Sequence, residues 1–324
     1  MKFNQHDIKW LKEHIKDSQK VVLLAHDYPD GDAVGSVVVM NYIIQAMGAE
    51  PIVVLRNFDK LNWDFLGFKE EIKIYSDEEL ETITSIPVTI VLDCSNQDRL
   101  GEQKVYLTKS TYVVNIDHHA DNNNFGTINI VKESSSVGEI LYYLIKDLGI
   151  PITRKMAYSI LVSIASDTGR FMYNNTHQNL FFIIHDLFNY LNSNDYSEIM
   201  RILYQEVSID KIRLTAEIFN NLEMIHNVIS FSYLESDCGF IDGLVEPIQS
   251  IQGSRASVLV RKIDHRIKIS FRAKDKNIDV QLLAQQFGGG GHIHASGATI
   301  ALTDFSKQIL DIKEIVRMYF SKYL

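Results

Sequence analysis

Residues 21–36 read VVLLAHDYPDGDAVGS, and this stretch decides the architecture of the first half of the chain. An apolar run leads into a short polar segment, after which apolar residues continue as far as Met47. The pattern predicts a buried strand, a loop and a buried helix. It recurs, with strands expected at 52–55, 88–93 and 112–116 and helices at 137–148 and 154–165. Apolar strands that alternate with helices are typical of an α/β domain whose mostly parallel sheet has helices on both faces.

The second half predicts a smaller α/β domain with a mixed sheet. Residues 258–263 and 266–272 form a hairpin pattern, in which Ile267, Ile269 and Phe271 alternate with Lys268, Ser270 and Arg272. One face of this hairpin is expected to be core and the other basic and accessible. A short helix at 280–287, a glycine loop at 288–291, a strand at 298–302 and an amphipathic helix at 305–323 are predicted to follow.

A helical stretch lies between these two halves. Apolar residues recur at helical spacing from 178 to 224, and we interpret Leu180, Phe181, Ile184, Leu187 and Phe188 as core. The segment 192–195 is the expected break within this stretch. We therefore predict a first domain at 1–191, a helical linker at 192–226 and a second domain at 227–324, with a cleft between the two domains.

Composition and charge narrow the class of protein. The chain has 324 residues, 46% hydrophobic and 23% charged, as expected for a globular protein of two domains. Its net charge of −9 argues against a protein that grips long nucleic acid along a basic face. Residues 229–324 hold twelve basic and ten acidic residues, a net +2, so residues 1–228 carry −11. Within the second half, a local excess of six positive charges comes from Arg255, Arg261, Lys262, Arg266, Lys268, Arg272, Lys274 and Lys276, set against Asp264 and Asp275.

Cysteine usage and the N-terminus indicate the compartment. Cys94 and Cys238 are the two cysteines, too few for a disulfide framework or a zinc–thiolate site. No apolar run reaches the ~18 residues that a membrane span needs, and the first twenty residues lack the apolar core of a signal peptide. We therefore expect a cytoplasmic protein that does not bind membranes.

Carboxylates and imidazoles follow the predicted strands. Asp30, Asp32, Asp93, Asp117 and Asp167, with His26, His118 and His119, fall at strand or helix ends, where open α/β sheets place their ligands. Alone, Asp30-Gly31-Asp32 is typical of a turn and His118-His119 of a loop end. Together, carboxylates and imidazoles without thiolate suit Mn, Mg, Fe or Zn, and a bridging aspartate would hold two such ions.

The run Gly288-Gly289-Gly290-Gly291-His292 permits two interpretations. Four glycines could form a flexible linker, but this run lies inside a helix–loop–strand pattern rather than between domains. The alternative is a loop whose backbone N–H groups approach a phosphate or a base closely. His292 and Arg272 would then add side-chain contacts.

These motifs, in this order, resemble those of the DHH phosphoesterase family with its DHH-associated C-terminal domain. The resemblance is closest to the stand-alone bacterial members, the NrnA-type nanoRNases (oligoribonucleases) and pAp phosphatases. It rests on five stretches of sequence: residues 26–36 (HDYPDGDAVGS), 92–101 (LDCSNQDRLG), 117–119 (DHH), 166–169 (SDTG) and, in the second domain, 270–272 (SFR) together with 288–297 (GGGGHIHASG).

The resemblance implies a role for each matching residue. His26, Asp30 and Asp93 would bind one manganese, and Asp32, Asp93, His118 and Asp167 the other, with Mg²⁺ or Co²⁺ as alternative ions. His119 would contact the scissile phosphate, and Asp117 would orient the histidine ligands. The clamp on the other end of the substrate would be Arg272 with His292 and the glycine loop, formed by Gly288, Gly289, Gly290 and Gly291.

The implied activity is hydrolysis of very short RNA to mononucleotides and of pAp to AMP. The expected partners are short oligoribonucleotides, pAp and pApA, without long nucleic acid, and a homodimer is left open. The same parts would serve a cyclic-dinucleotide phosphodiesterase acting on cyclic di-AMP. An exopolyphosphatase or pyrophosphatase is disfavoured by the second domain, and a nucleotide-binding regulator without turnover is disfavoured because all six ligand positions are occupied.

Overall fold

The computed structural model describes residues 1–17, 20–58, 63–68, 70–80, 83–236 and 243–323. Its backbone contacts divide the chain into two compact units, Met1–Gln205 and Glu206–Leu324. Cys238, named above, lies outside the described residues. The division falls within the predicted connection 192–226, whose bounds stay a prediction.

The first unit contains a parallel sheet with helices on both faces, as predicted. Its strands are β1 (Lys20–Ala25), β2 (Glu50–Val54), β3 (Ile86–Leu92), β4 (Ser110–Asp117) and β5 (Ile128–Val131), in the order β2-β1-β3-β4-β5. Its helices are α1 (Gln5–Asp17), α2 (Gly31–Ala46), α3 (Asp77–Leu80), α4 (Val105–Thr108), α5 (Val137–Leu148), α6 (Arg154–Asp167), α7 (Gln178–Leu187) and α8 (Ser193–Tyr204). Two 3₁₀ helices, Asp64–Leu66 and Gln97–Lys104, complete it. Strand β5 was not predicted.

Alternate residues of β1 enter two different cores. Val21 and Leu23 pack with α1, α2, α5 and α6, whereas Val22 and Leu24 pack on the opposite face beneath α3, α4 and the 3₁₀ helix Gln97–Lys104. A strand that is buried on both faces reads as a continuous apolar run, which is why the sequence pattern was informative here. The break predicted at 192–195 lies slightly earlier, between the end of α7 at Leu187 and Asn192. Asn192 and Asp195 form a capping box that begins α8, so residues 193–195 belong to its first turn.

Two predicted core residues of α7 are not core. Leu180 and Leu187 are buried, but Phe181 is 57% exposed and Phe188 is 39% exposed. Helical spacing identifies a face of the helix correctly, but it does not show how wide a stripe the neighbouring elements cover.

The second unit contains a six-stranded mixed sheet. Its strands are β6 (Glu223–Ile225), β7 (Ile229–Leu234), β8 (Ala256–Ile263), β9 (Arg266–Ala273), β10 (Gly290–His292) and β11 (Ala295–Ala301), in the order β10-β11-β9-β8-β7-β6. Neighbours are antiparallel except β7 and β8, which are parallel. Its helices are α9 (Ile209–Asn220), α10 (Glu246–Gln249), α11 (Gln281–Gln285) and α12 (Phe305–Phe320), followed by a 3₁₀ turn at Ser321–Tyr323.

The basic face of the hairpin β8–β9 is less accessible than predicted. Ile267, Ile269 and Phe271 are buried as expected. On the other face, Leu259 packs against Ile218 of α9, and Arg261 is only 5% exposed. Helices α9 and α10 therefore cover part of the surface that was expected to be open. None of the helices in the described ranges combines the length and apolar composition that crossing a lipid bilayer requires.

Candidate functional site

The predicted site residues of the first unit converge at one edge of its sheet. His26 and Asp30 follow β1, Asp93 follows β3, and Asp117 ends β4. These three strands are neighbours and parallel, so their carboxyl ends meet at the same edge. Asp167, the last residue of α6, joins them, since its carboxylate lies 3.2 Å from the imidazole of His118.

Asp32 lies in the first turn of α2 and is fully buried. One carboxylate oxygen accepts hydrogen bonds from Ser36 (3.1 Å), Ser163 (2.5 Å) and the Gly138 N–H (3.3 Å), and the other accepts one from the Val137 N–H (2.8 Å). The carboxylate thus caps the N-terminus of α5, where the helix dipole favours negative charge. Burial and the nearby Asp93 nevertheless raise the pKa of Asp32 to about 7.

Close packing of the helices makes this arrangement possible. The hydroxyl oxygen of Ser163 contacts Asp32 and accepts a hydrogen bond from the Gly138 N–H at 2.8 Å. A side chain at Gly138 would place its Cβ only 2.0 Å from this oxygen. Glycine at the start of α5 therefore allows α6 to bring a hydroxyl to the carboxylate.

Two histidines present the same nitrogen to the carboxylates. The Nδ1 of His26 lies 2.9 Å from the carbonyl oxygen of Asp27, and that of His118 lies 3.3 Å from the carbonyl oxygen of Ser134. With Nδ1 donating to a carbonyl, each Nε2 is left as the donor atom for a metal ion, the arrangement that metal-binding histidines adopt. Burial would lower the pKa values of both rings, but the surrounding carboxylates outweigh it and raise that of His26 to about 9 and that of His118 to about 11.

Asp93 lies between these two histidines. One of its oxygens is 3.6 Å from His26 Nε2, and the other is 3.5 Å from His118 Nε2. The second nitrogen is also 3.7 Å from the carboxylate of Asp32. Asp93 has a φ angle of 54°, in the left-handed region that residues with a side chain rarely adopt outside functional sites. Each of its oxygens thus faces a different set of ligand atoms.

Among the described residues, donor atoms form three close groups, and two of these would suit two cations. The third group joins Asp93, Asp117, His118 and His119. His26, Asp30 and Asp93 bring one ligand atom each within 4.8 Å of one another, and Asp32, His118 and Asp167 do the same. The fit to metal ions rests on two buried atoms, His26 Nε2 and one oxygen of Asp93, which have no hydrogen-bond partner among the described residues. Burial and the charge of Asp32 raise the pKa of Asp167 to about 9, as expected for crowded carboxylates without a cation. The composition and spacing of both groups therefore fit divalent metal ions.

His119 lies beside Asp93, at 3.5 Å, and also belongs to a further chain of contacts. Its Nδ1 lies 2.8 Å from the buried carboxylate of Asp117, whose other oxygen accepts a hydrogen bond from Asn122 at 2.5 Å. Its Nε2 lies 3.4 Å from Nη1 of Arg99. The expectation that Asp117 orients the histidine ligands is corrected in one respect, because the carbonyl of Ser134, not Asp117, contacts His118 Nδ1.

Sequence reasoning missed several residues that position this site. Ser163 lacks any motif of its own, and its contact with Asp32 follows only from the packing of α2 on α6. Asn122 and Arg99 lie within or close to the motifs, but polar residues in loops carry no signal about which partner they contact. For Arg99, the available signal was its place a few residues after a buried aspartate at a strand end.

In the second unit, Arg272 and His292 lie in one row across three strands. Arg272 of β9 is paired with Ala295 of β11, which is paired with His292 of β10. Directly paired residues point to the same face of a sheet, so these two side chains share a face, about 10 Å apart across the small Ala295.

The glycine run differs from the predicted loop. The N–H groups of Gly288 and Gly289 donate to the carbonyls of Gln285 and Ala284, which end α11, and Gly290 and Gly291 belong to β10. Gly288 and Gly289 therefore do not offer bare N–H groups to a phosphate. A Cβ at Gly289 would lie 2.1 Å from the carbonyl oxygen of Gly297, so glycine is needed there for contact between the chain segments.

Comparison with known proteins identifies the family. The family model for the DHH family, N-terminal domain, matches residues 20–165, and that for the DHHA1 domain matches residues 231–322. The chain is 30% identical to the bifunctional oligoribonuclease and PAP phosphatase NrnA of Bacillus subtilis, over 90% of this chain and 92% of that protein. It is 28% identical to the protein of the same name from Thermus thermophilus, over 92% and 89%. A cyclic-di-AMP phosphodiesterase, PdeA of Listeria monocytogenes, is 25% identical over 93% of this chain but only 48% of its own length.

Solved structures support the same fold. An exopolyphosphatase-related protein from Bacteroides fragilis superimposes with a TM-score of 0.86 at 24% identity, over 99% of this chain and 98% of that one. RecJ of Thermus thermophilus, in complex with Mn²⁺, gives a TM-score of 0.57 at 14% identity, over 98% of this chain and 54% of that one. Since a relative that is 30% identical spans nine-tenths of both sequences, and the two domain models match in order, this chain belongs to the DHH phosphoesterase family and carries a DHHA1 domain after its DHH domain.

Proposed function

We propose that this protein is a two-metal phosphoesterase, Mn²⁺-dependent, that hydrolyses very short RNA to mononucleotides and pAp to AMP. The observation that carries the proposal is the placement of Asp93, whose two oxygens face two different groups of ligand atoms. The names of the relatives from Bacillus subtilis and Thermus thermophilus support the choice of substrates. The low cysteine content supports a reducing compartment, so we propose that the activity is cytoplasmic.

The two cations would be held by the two groups of donors. His26, Asp30 and Asp93 would bind one, and Asp32, Asp93, His118 and Asp167 the other. When bound, such ions neutralise charge on a phosphate and lower the pKa of a water towards neutrality. The structure of RecJ with Mn²⁺ supports manganese as the first ion to test.

The residues of the chain would orient the substrate around this centre. His119 Nδ1 lies 3.5 Å from Asp93 and 2.8 Å from Asp117, so the ring is held beside the donor groups. Because Nδ1 is engaged by Asp117, Nε2 is the atom that would contact the scissile phosphate. In the second unit, we propose that Arg272 and His292, on one face of the sheet, bind the remaining phosphate or base. The −11 charge of residues 1–228 supports short substrates over long strands.

Replacing Asp93 tests the two-metal proposal directly. We expect Asp93→Ala to lose at least half of the bound Mn²⁺, measured by elemental analysis and calorimetric titration, and to lose nearly all release of mononucleotides from a dinucleotide. Asp147→Ala, which removes an exposed carboxylate from α5, is the matched control and should behave as wild type. An Asp93→Ala variant with near wild-type metal content and turnover would contradict the proposal.

Hydrolysis of cyclic di-AMP is the second candidate activity. The observation that favours it is the 25% identity to PdeA of Listeria monocytogenes over 93% of this chain. Initial rates on pAp, linear dinucleotides, pApA and cyclic di-AMP, compared under the same Mn²⁺ concentration, would separate the two. We expect the linear substrates to be favoured, and a higher kcat/KM for cyclic di-AMP would reverse the order.

A further inference from the structure

Arg99 places an exposed guanidinium next to the candidate site. It lies in the 3₁₀ helix Gln97–Lys104, and its Nη1 is 3.4 Å from His119 Nε2. Within the described part of the chain, no carboxylate oxygen forms an ion pair with this guanidinium. The adjacent Asp98 pairs instead with Lys104, at 2.6 Å. The positive charge of Arg99 is therefore not neutralised by its neighbours.

The backbone of Arg99 is fixed to the loop that carries His26. Its carbonyl accepts the N–H of Asp27 at 2.7 Å, and the carbonyl of Asp27 in turn contacts His26 Nδ1. Its own N–H is directed at the side chain and carbonyl of Asn96, at 3.3 and 3.2 Å. Gly101, with a φ angle of 58°, allows the chain to turn tightly there, and a Cβ at this position would lie 3.2 Å from the Asp27 carboxylate. The backbone at Arg99 is thus held in a fixed position relative to His26, one of the candidate metal ligands.

We propose that Arg99 binds the scissile phosphate together with His119. The inference rests on the proposed function, because it places a phosphate at His119. A guanidinium stays protonated and presents a planar fork that matches two phosphate oxygens. Five aspartates crowd the same edge of the sheet, and a fixed cation there would offset their repulsion of an anionic substrate. Arg99 would leave the His119 nitrogen and turn to the phosphate oxygens as substrate enters.

Three variants test this role in the Mn²⁺-loaded protein. We expect Arg99→Ala to lower kcat/KM on pAp and on a dinucleotide about 10- to 100-fold, the range for loss of one charge-assisted hydrogen-bonding group. Arg99→Lys should recover part of this loss, since it restores the charge but not the fork. Lys109→Ala removes a positive charge from the residue that caps the C-terminus of α4, where Lys109 lies over the ring of Tyr106, and its rates should stay within twofold of wild type. Equal kcat/KM for Arg99→Ala and wild type would overturn the inference.

A double-mutant cycle separates phosphate binding from mere support of His119. The readout is the affinity of the Mn²⁺-loaded protein for inorganic phosphate, measured by isothermal titration. If Arg99 contacts phosphate itself, adding Arg99→Ala to His119→Ala should weaken phosphate binding by at least about fivefold more. If the second change has no further effect, Arg99 acts only through the imidazole and the inference is wrong.

The same titration keeps this inference distinct from the proposed function. A wild-type protein that binds phosphate but hydrolyses none of the nucleotides would refute the proposed function, and a weaker phosphate affinity in Arg99→Ala would still support the role of Arg99. The opposite outcome is a wild-type protein that hydrolyses nucleotides but either binds no phosphate or binds it as tightly as Arg99→Ala does. This outcome would refute the role of Arg99 and leave the proposed function standing.

Discussion

Removing divalent cations should make the stability of the first unit fall as the pH rises. Burial and Asp93 raise the pKa of Asp32 from 3.8 to about 7, and burial and Asp32 raise that of Asp167 from 3.8 to about 9. A carboxylic acid with a raised pKa keeps its proton in the folded protein after the unfolded chain has lost it. The folded state then binds more protons, so the free energy of unfolding decreases with increasing pH above about 4.

The size of the effect follows from these two shifts. One extra bound proton changes the free energy of unfolding by about 1.4 kcal/mol per pH unit. Between pH 6 and pH 8, Asp32 accounts for about 1 kcal/mol and Asp167 for up to about 3 kcal/mol. The raised pKa values of His26 and His118 act in the same direction over this range. Since 1 kcal/mol shifts the Tm of a domain of this size by roughly 2–4 °C, the two carboxyl groups together predict a decrease of roughly 8–16 °C from pH 6 to pH 8.

Thermal melts with EDTA and with saturating Mn²⁺ measure this directly. Cations displace the retained protons, so the increase in Tm on adding Mn²⁺ should be larger at pH 8 than at pH 6. The control is the double variant Asp32→Asn, Asp167→Asn, in which the pH dependence without metal should become clearly smaller, with the part that comes from His26 and His118 remaining. A metal-free wild-type protein whose Tm is equal or higher at pH 8 would refute the account of crowded, proton-holding carboxylates.

Three further predictions concern single side chains. Ser163→Ala removes a hydroxyl donor from the buried carboxylate of Asp32, and we expect urea unfolding to show a free energy of unfolding that is lower by about 1–3 kcal/mol. Ser163→Thr, which keeps the hydroxyl, is the control. An unchanged free energy of unfolding in the alanine variant would contradict the contact. Arg272→Ala should raise KM for dinucleotides about tenfold while leaving Mn²⁺ content and Tm unchanged, and an unchanged KM would remove Arg272 from the substrate site. Cys94 is buried, and burial raises the pKa of its thiol to about 12. In a Cys238→Ser variant, we therefore expect Cys94 to react with a thiol reagent at neutral pH only after denaturant is added. Fast labelling of the native protein would be inconsistent with its burial.

The sequence predicted the parts of the fold that depend on periodicity. The apolar runs that became β1, β3 and β4 are buried on both faces, and such runs have few alternatives to a parallel sheet. Parallel strands bring their carboxyl ends to one edge, so residues as distant in sequence as His26 and His118 could be placed together without a structure. The convergence of the candidate metal ligands was predictable for this topological reason.

The parts that could not be predicted depend on contacts between elements. Phe181 has the spacing of a core residue but is 57% exposed, with the ring of Phe171 beside it at 6.0 Å between centroids. The N–H groups of Gly288 and Gly289 were expected to be open to a ligand, yet they complete the end of α11. In each case the local pattern was compatible with two partners, and only the surrounding packing decides between them.

The two central aspartates show the same difference within the site itself. Asp32 and Asp93 are both buried and both come shortly after a strand, so the hydrophobic pattern alone does not distinguish them. In the structure, Asp32 accepts four hydrogen bonds from hydroxyl and backbone donors, whereas one oxygen of Asp93 has no hydrogen-bond partner among the described residues and both its oxygens face imidazoles. The hydrogen bonds therefore hold the Asp32 carboxyl group in place, although burial and Asp93 still raise its pKa to about 7. The charge of Asp93 depends on His118 and His26, which lower its pKa in spite of burial, and on bound metal. Loss of metal should consequently disturb Asp93 and its two histidines first, while the packing of Asp32 on α5 and α6 stays intact.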